Sequence, residues 1–301
     1  MTSSPYPDLG RFRELLSKPH VPLDLGALTL SSHCQGQTFT FDEELAKLDD
    51  LAEQVSTRTL EGVVECLFGD LGFAGDELEY FAPRNSYIDQ VIQSRRGIPI
   101  SLGVLVIEIA RRCSIQVLGV GMPGHFLLRD HEDPNNFVNP FEGKMISRYE
   151  AQELFVRLHP SAEFKEEYLD HVTNQSIVSR MLNNLRMIHL KTRSTKDLIP
   201  VLELALCFGS PSIAEAQQLA SALEAVGRTD EAARHMDELA ERSDQRDTDE
   251  IRALATRLWS RLNLVPCVAG SHHRVSSKRS RVDVPALFRA ISHYLTRRCK
   301  L

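Results

Sequence analysis

The chain has no C-x-x-C pair. Its six cysteines, at 34, 66, 113, 207, 267 and 299, are scattered over 301 residues. Such scatter argues against a disulfide framework and for free thiols in a reducing compartment. His33-Cys34 and His272-His273 are adjacent pairs with no complementary pair at ligand spacing, so no metal site is expected. Residues 1–13 hold Pro and Asp but no apolar h-region, which argues against a secretory leader. The most apolar run is interrupted by Ser101 and Glu108 and is too short to span a bilayer. No nucleotide-binding signature occurs. These absences predict a cytoplasmic protein without a cofactor.

What is present is an ordinary globular composition, 42% hydrophobic and 25% charged, long enough for one large domain or two smaller ones. The stretch from Arg95 to Phe141 organises the rest. Leu102, Val104, Leu105, Val106, Ile107, Ile109 and Ala110 make a helix that is apolar almost all round, which belongs inside a protein. Pro99 suits its first position, where a missing N–H does no harm. Arg111 and Arg112 stand at its carbonyl end, where cations are favoured. Gln116 to Val120 reads as a strand, Gly121-Met122-Pro123-Gly124 as a turn, His125 to Arg129 as a second strand and Phe137 to Phe141 as a third.

Upstream, residues 1–38 are spotted with Pro and Ser and are expected to be partly disordered. Leu45, Leu48, Leu51 and Ala52 share one helical face within 42–55, and Val63, Val64, Leu67 and Phe68 lie in another helix. Asn85 is the expected N-cap of a helix carrying Ile88, Val91 and Ile92. Arg95 and Arg96 suit a solvated helix end, or an acidic peptide group. From Ser147 the apolar spacing is helical throughout, over 151–158, 177–191, 198–208, 213–226 and 229–242, with a last helix containing Leu254, Leu258, Trp259 and Leu262. Thr229 is the expected cap after Gly227-Arg228.

Residues 264–301 differ from the rest. They hold eight Lys or Arg against one acid, Asp283, in a chain of net charge −6. Residues 271–283 read as linker, and 285–295 as an amphipathic helix. A basic arm of this kind can bind nucleic acid or an anionic membrane. No aromatic interleaving or nucleic-acid motif accompanies it.

Taken together, Asn85-Ser86-Tyr87, Arg96 to Leu102, Gly119 to Phe126, Asn139-Pro140-Phe141 and Arg180 to Leu185 resemble the transglutaminase-like superfamily, and within it the SirB-type branch. The resemblance runs over about 39–262 and is most specific over 97–141. It implies an α+β protein, with a buried helix against a small antiparallel sheet in a papain-like core over 39–146. An all-α, tetratricopeptide-like region over 147–263 and the basic tail over 264–301 would follow. It further implies a nucleophile at the helix N-terminus, His125 as base and Asn139 as the group that orients it, where Asp is usual. An Asn can orient an imidazole but cannot stabilise its positive charge. The superfamily's Cys slot falls near Pro99 to Ser101, and no Cys stands there. Cys113 is about three turns further along the helix.

Two functions follow from this pattern. The first is a non-catalytic binding or regulatory module that keeps the cleft without its thiol. It would take a protein or peptide partner through the cleft or the helical region. The second is a serine-based amide hydrolase or acyltransferase using Ser101, His125 and Asn139. It requires the Ser101 hydroxyl within about 2.6–3.2 Å of the imidazole. Otherwise Ser101 is a helix cap and His125 a satisfied, part-buried histidine.

Overall fold

The computed structural model describes residues 7–37 and 40–263. The basic tail, its expected helix, Cys267 and Cys299 lie outside the described residues.

The described part of the N-terminal segment, residues 7–37, is largely helical. It holds α1 (Pro7–Leu16) and α2 (Leu23–Gln35). Leu9, Phe12 and Leu15 recur every three residues and are buried, with Phe12 edge-on to Phe208 at 5.7 Å. Leu23, Ala27, Leu28 and Leu30 bury α2 in the same core. The flanking Pro and Ser residues hide this pattern because they flank the helices without interrupting them.

Helices α3 (Phe41–Glu53), α4 (Leu60–Val64) and α5 (Ile88–Ser94) follow. Thr59 caps α4 by accepting the Gly62 N–H, and α4 runs on into a π-helical turn, Glu65–Asp70. Asn85 is not the cap of α5. It lies in a 3-10 turn, Pro83–Ser86, and the Ile88 N–H is taken by the Ser31 hydroxyl from α2. Arg95 and Arg96 donate to the Leu71 and Gly72 carbonyls, closing the end of the π-helical turn.

The central helix is α6 (Pro99–Arg112), with every residue from Pro99 to Ala110 buried. Each large aliphatic side chain so buried contributes roughly 1.5–3 kcal/mol, an upper bound. At its far end Glu108, 2% exposed, accepts from Arg111 at 2.7 Å and Arg112 at 2.7 Å. Asp24 accepts from both arginines, and Asp49 from Arg112. A run that is apolar on all sides therefore carries one buried carboxylate, held by the two cations at the helix's carbonyl pole.

Two short strands, β1 (Ala74–Gly75) and β2 (Arg96–Gly97), pair in parallel just before α6. Beyond it, β3 (Val117–Val120), β4 (Leu127–Asp130), β5 (Asn136–Asn139) and β6 (Lys144–Ser147) form an antiparallel sheet in that order. Leu128 pairs with Val138, and both are fully buried. His125 lies in the turn before β4, and β6 is a strand that the sequence reading lacks.

Ser147 and Glu150 then form a reciprocal capping box that starts α7 (Arg148–Leu158). Helices α8 (Asn174–Thr192), α9 (Thr195–Ala205), α10 (Ile213–Ala225), α11 (Thr229–Arg242) and α12 (Gln245–Asn263) complete the described chain. The α11 cap position is Arg228, one residue before the expected Thr229. The chain divides into two compact units. One runs up to Ile188 and takes back Pro200–Gly209. The other takes His189–Ile199 and the described residues from Ser210 onward. Ile177, Val178, Met181, Leu182 and Leu185 belong to the first unit's core, so its boundary falls inside α8 and not near residue 146. An apolar periodicity shows that α8 is a helix but not which core its face joins.

Candidate functional site

The amino end of α6 is fastened by Ser101. Its hydroxyl donates to the Asn85 carbonyl at 2.6 Å and accepts the Ile98 N–H at 3.0 Å. A further contact, to the Ile98 carbonyl, is 3.1 Å long. The side chain is fully buried. One hydroxyl has one proton, and the shortest bond gives it to Asn85. Ser101 thus ties the 3-10 turn to the start of the helix, and none of its bonds reaches His125.

His125 and Asn139 do meet. The His125 Nε2 lies 3.0 Å from the Asn139 Oδ1. That same oxygen accepts the Phe141 N–H at 3.3 Å. A backbone N–H can only donate, so the atom is the amide oxygen and not its nitrogen. Nε2 must then carry the ring proton, which leaves a lone pair on Nδ1. Burial pushes the His125 pKa below its ordinary 6.5, and the nearby Arg180 charge adds to this. The Asn139 bond and the Glu142 charge oppose it. His125 is accordingly a neutral imidazole with Nδ1 as acceptor.

Phe141 links the imidazole to α6. Its carbonyl accepts the Gly75 N–H at 3.2 Å, and its ring stands edge-on to His125 with centroids 6.5 Å apart. A Cβ at position 75 would lie 2.5 Å from that ring, so only glycine admits it. Gly75 pairs with Gly97 at the entry to α6.

Residues 42–183 match the family model described as the transglutaminase-like superfamily. They form a transglutaminase-like domain. A UPF0162 protein of Vibrio cholerae is 32% identical over 167 residues, 54% of this chain and 62% of its own length. Another, from Xylella fastidiosa, is 39% identical over 132 residues, 42% of this chain and 47% of its own length. Protein SirB1 of Salmonella typhimurium is 26% identical over 180 residues, 56% and 66% of the two chains. The chain therefore spans about half to three fifths of the first two relatives. No solved structure matches it.

Within the transglutaminase-like domain, the slot at the start of α6 holds Pro99 at the first helical position and Ser101 at the third. Cys113 is at the opposite end of the helix, its Sγ 3.8 Å from the Ala52 carbonyl. Burial, with the charges of Asp70 and Cys113, pushes the Cys66 thiol up. Burial and the Glu203 carboxylate do the same to Cys34. The Cys66 and Cys34 thiols are thus kept protonated, the reverse of what a thiolate nucleophile needs.

Sequence reading missed two parts of the domain's site. One is the loop before the 3-10 turn. Asn85 Nδ2 donates to Asp76 and to the Glu79 carbonyl, at 3.1 and 2.8 Å, and Asp76 accepts the Glu79 N–H. These bonds hold a loop whose Leu78 and Phe81 are 97% and 55% exposed, with Tyr80 edge-on to Phe141 at 5.7 Å. The acidic and apolar mixture of 76–81 carries no periodicity that would mark it. The other is Arg180, on α8, which bonds carbonyls of the turn that carries His125. Among the described residues no helix is long and apolar enough to cross a membrane.

Proposed function

We propose that the chain is a non-catalytic binding or regulatory module built on a transglutaminase-like domain, which takes a protein or peptide segment at His125. The observation that carries this reading is the state of Ser101: its proton goes to the Asn85 carbonyl and its side chain is fully buried. A serine has no lowered-pKa route to reactivity and depends on a base within reach. Among the described residues no side chain hydrogen-bonds the Nδ1 of the imidazole that should serve as base. That lone pair suits a backbone N–H or hydroxyl offered by a partner. The exposed Leu78 and Phe81, in the loop whose Tyr80 stands edge-on to Phe141, would give the partner apolar contact area.

The test pairs an activity assay with a binding assay. Amide hydrolysis and acyl transfer are measured with glutamine-containing peptides and a primary amine, and no rate above buffer is expected. A rate that disappears in His125→Ala overturns the reading. A peptide selected against the wild-type chain should lose affinity about tenfold, near 1.4 kcal/mol, in His125→Ala. Equal affinity for both proteins removes His125 from the binding surface.

A further inference from the structure

The turn from Gly121 to His125 has five carbonyls, and side chains of Arg180 and His159 bond four of them. Arg180 Nη1 donates to the Gly121 carbonyl at 2.5 Å. Its Nη2 donates to the Met122 carbonyl at 3.2 Å and to that of His125 at 3.0 Å. His159 Nε2 lies 3.0 Å from the Pro123 carbonyl, which can only accept, so this nitrogen carries a proton. Gly124, at φ +74°, brings the backbone so close that a Cβ would lie 2.8 Å from the His159 ring. No carboxylate pairs with Arg180 among the described residues, so its whole polar environment is the turn and the face of Phe126, 5.9 Å away.

We infer that Arg180, seconded by His159, is the positioning residue of the site: it fixes the backbone that aims His125 and so holds Nδ1 open toward an incoming ligand. The inference deepens the binding reading of His125, but it concerns the ring itself and is tested without a partner. A guanidinium spanning three carbonyls is rigid in a way an ammonium is not, because its donors form a planar fork. With the turn fixed, Asn139 meets Nε2 and the other nitrogen is left outward. With the turn loose, the ring can rotate and either nitrogen can face Asn139. The charged or titratable groups facing His125 are Arg180 and Glu142, with Asn139 as the polar partner.

The experiment is nitrogen NMR of the full chain labelled at histidine, with the His125 signals assigned by their loss in His125→Gln. Wild type should show one dominant neutral tautomer, protonated at Nε2. Arg180→Met should mix the two ring nitrogen signals and move the His125 pKa upward, because a nearby positive charge has gone. Arg180→Lys keeps the charge without the fork. It should leave the pKa low yet still mix the tautomers. A role confined to packing would lower the melting temperature and leave the ring signals of the folded variant unchanged, which overturns the inference. If Arg180→Met does not fold, Arg180→Lys and His159→Phe decide. Mixed tautomers in either support the clamp, and wild-type signals in both refute it. Loss of peptide binding with intact ring signals, or the reverse, separates this inference from the proposed function.

Discussion

The two poles of α6 are built from different chemistry. At the carbonyl pole, Glu108, Arg111, Arg112, Asp24 and Asp49 form a cluster of charges bonded to one another. At the amino pole the contacts are neutral: a serine hydroxyl on a carbonyl, and an imidazole on an amide. At the first pole burial and the Asp24 charge push the Glu108 pKa up, while its bonds to Arg111 and Arg112 oppose this. At the second pole Nδ1 of the neutral ring keeps its lone pair. One helix thus has a charged end and a neutral end.

Breaking the charged pole should have the largest effect. Glu108→Ala removes a buried carboxylate but leaves Arg111 and Arg112 paired with Asp24 and Arg112 with Asp49, so it should cost about 1–3 kcal/mol. Denaturant unfolding reads this, and the His125 titration in the folded fraction should not change. A loss below about 1 kcal/mol would mean that the cluster is solvated, and the contrast would weaken.

Ser101→Ala tests the neutral pole. It removes the closer acceptor of the Ile98 N–H, leaving only the Asn85 carbonyl at 3.4 Å, and frees that carbonyl of the Ser101 proton, at a cost of about 1–2 kcal/mol. Stability should fall without any loss of function beyond that due to unfolding.

A smaller effect is expected from pH. The folded-state pKa of His125 lies below its ordinary 6.5, so between the two values the unfolded chain binds more protons. Stability from this group is full above pH 6.5 and is lost as pH falls through the folded value. In His125→Gln the slope of unfolding free energy against pH below 6.5 should flatten. An unchanged slope would show that burial does not govern this ring.

The smallest change in stability is expected from Leu78→Asp. The side chain is 97% exposed, so folding should shift by no more than about 0.5 kcal/mol. Binding of the selected peptide should weaken while unfolding stays the same.

Much of this arrangement is legible in the residues. An apolar run on all helix faces can only be interior, and Pro99 marks its start, so α6 stands where periodicity places it. The alternation of Val, Leu and Gly locates the strands to within two residues, although His125 falls in a turn because Gly124 delays β4. His125 and Asn139 come together as the resemblance implies. What could not be read is long-range. Asn85 looks like a local cap, but its amide reaches back to Asp76 and Glu79. Arg180 looks like one more polar helix residue, and its partners lie 55 to 59 positions away. In residues 7–37 Pro and Ser flank helices whose apolar spacing is short and makes sense only against the core.

The amino pole of α6 is either a cap or a reactive centre. Labelling the intact chain with a serine-directed fluorophosphonate probe, with Ser101→Ala beside it, asks this directly. The buried, carbonyl-bound hydroxyl should leave both proteins unlabelled. A label on wild type that is absent from Ser101→Ala would contradict it.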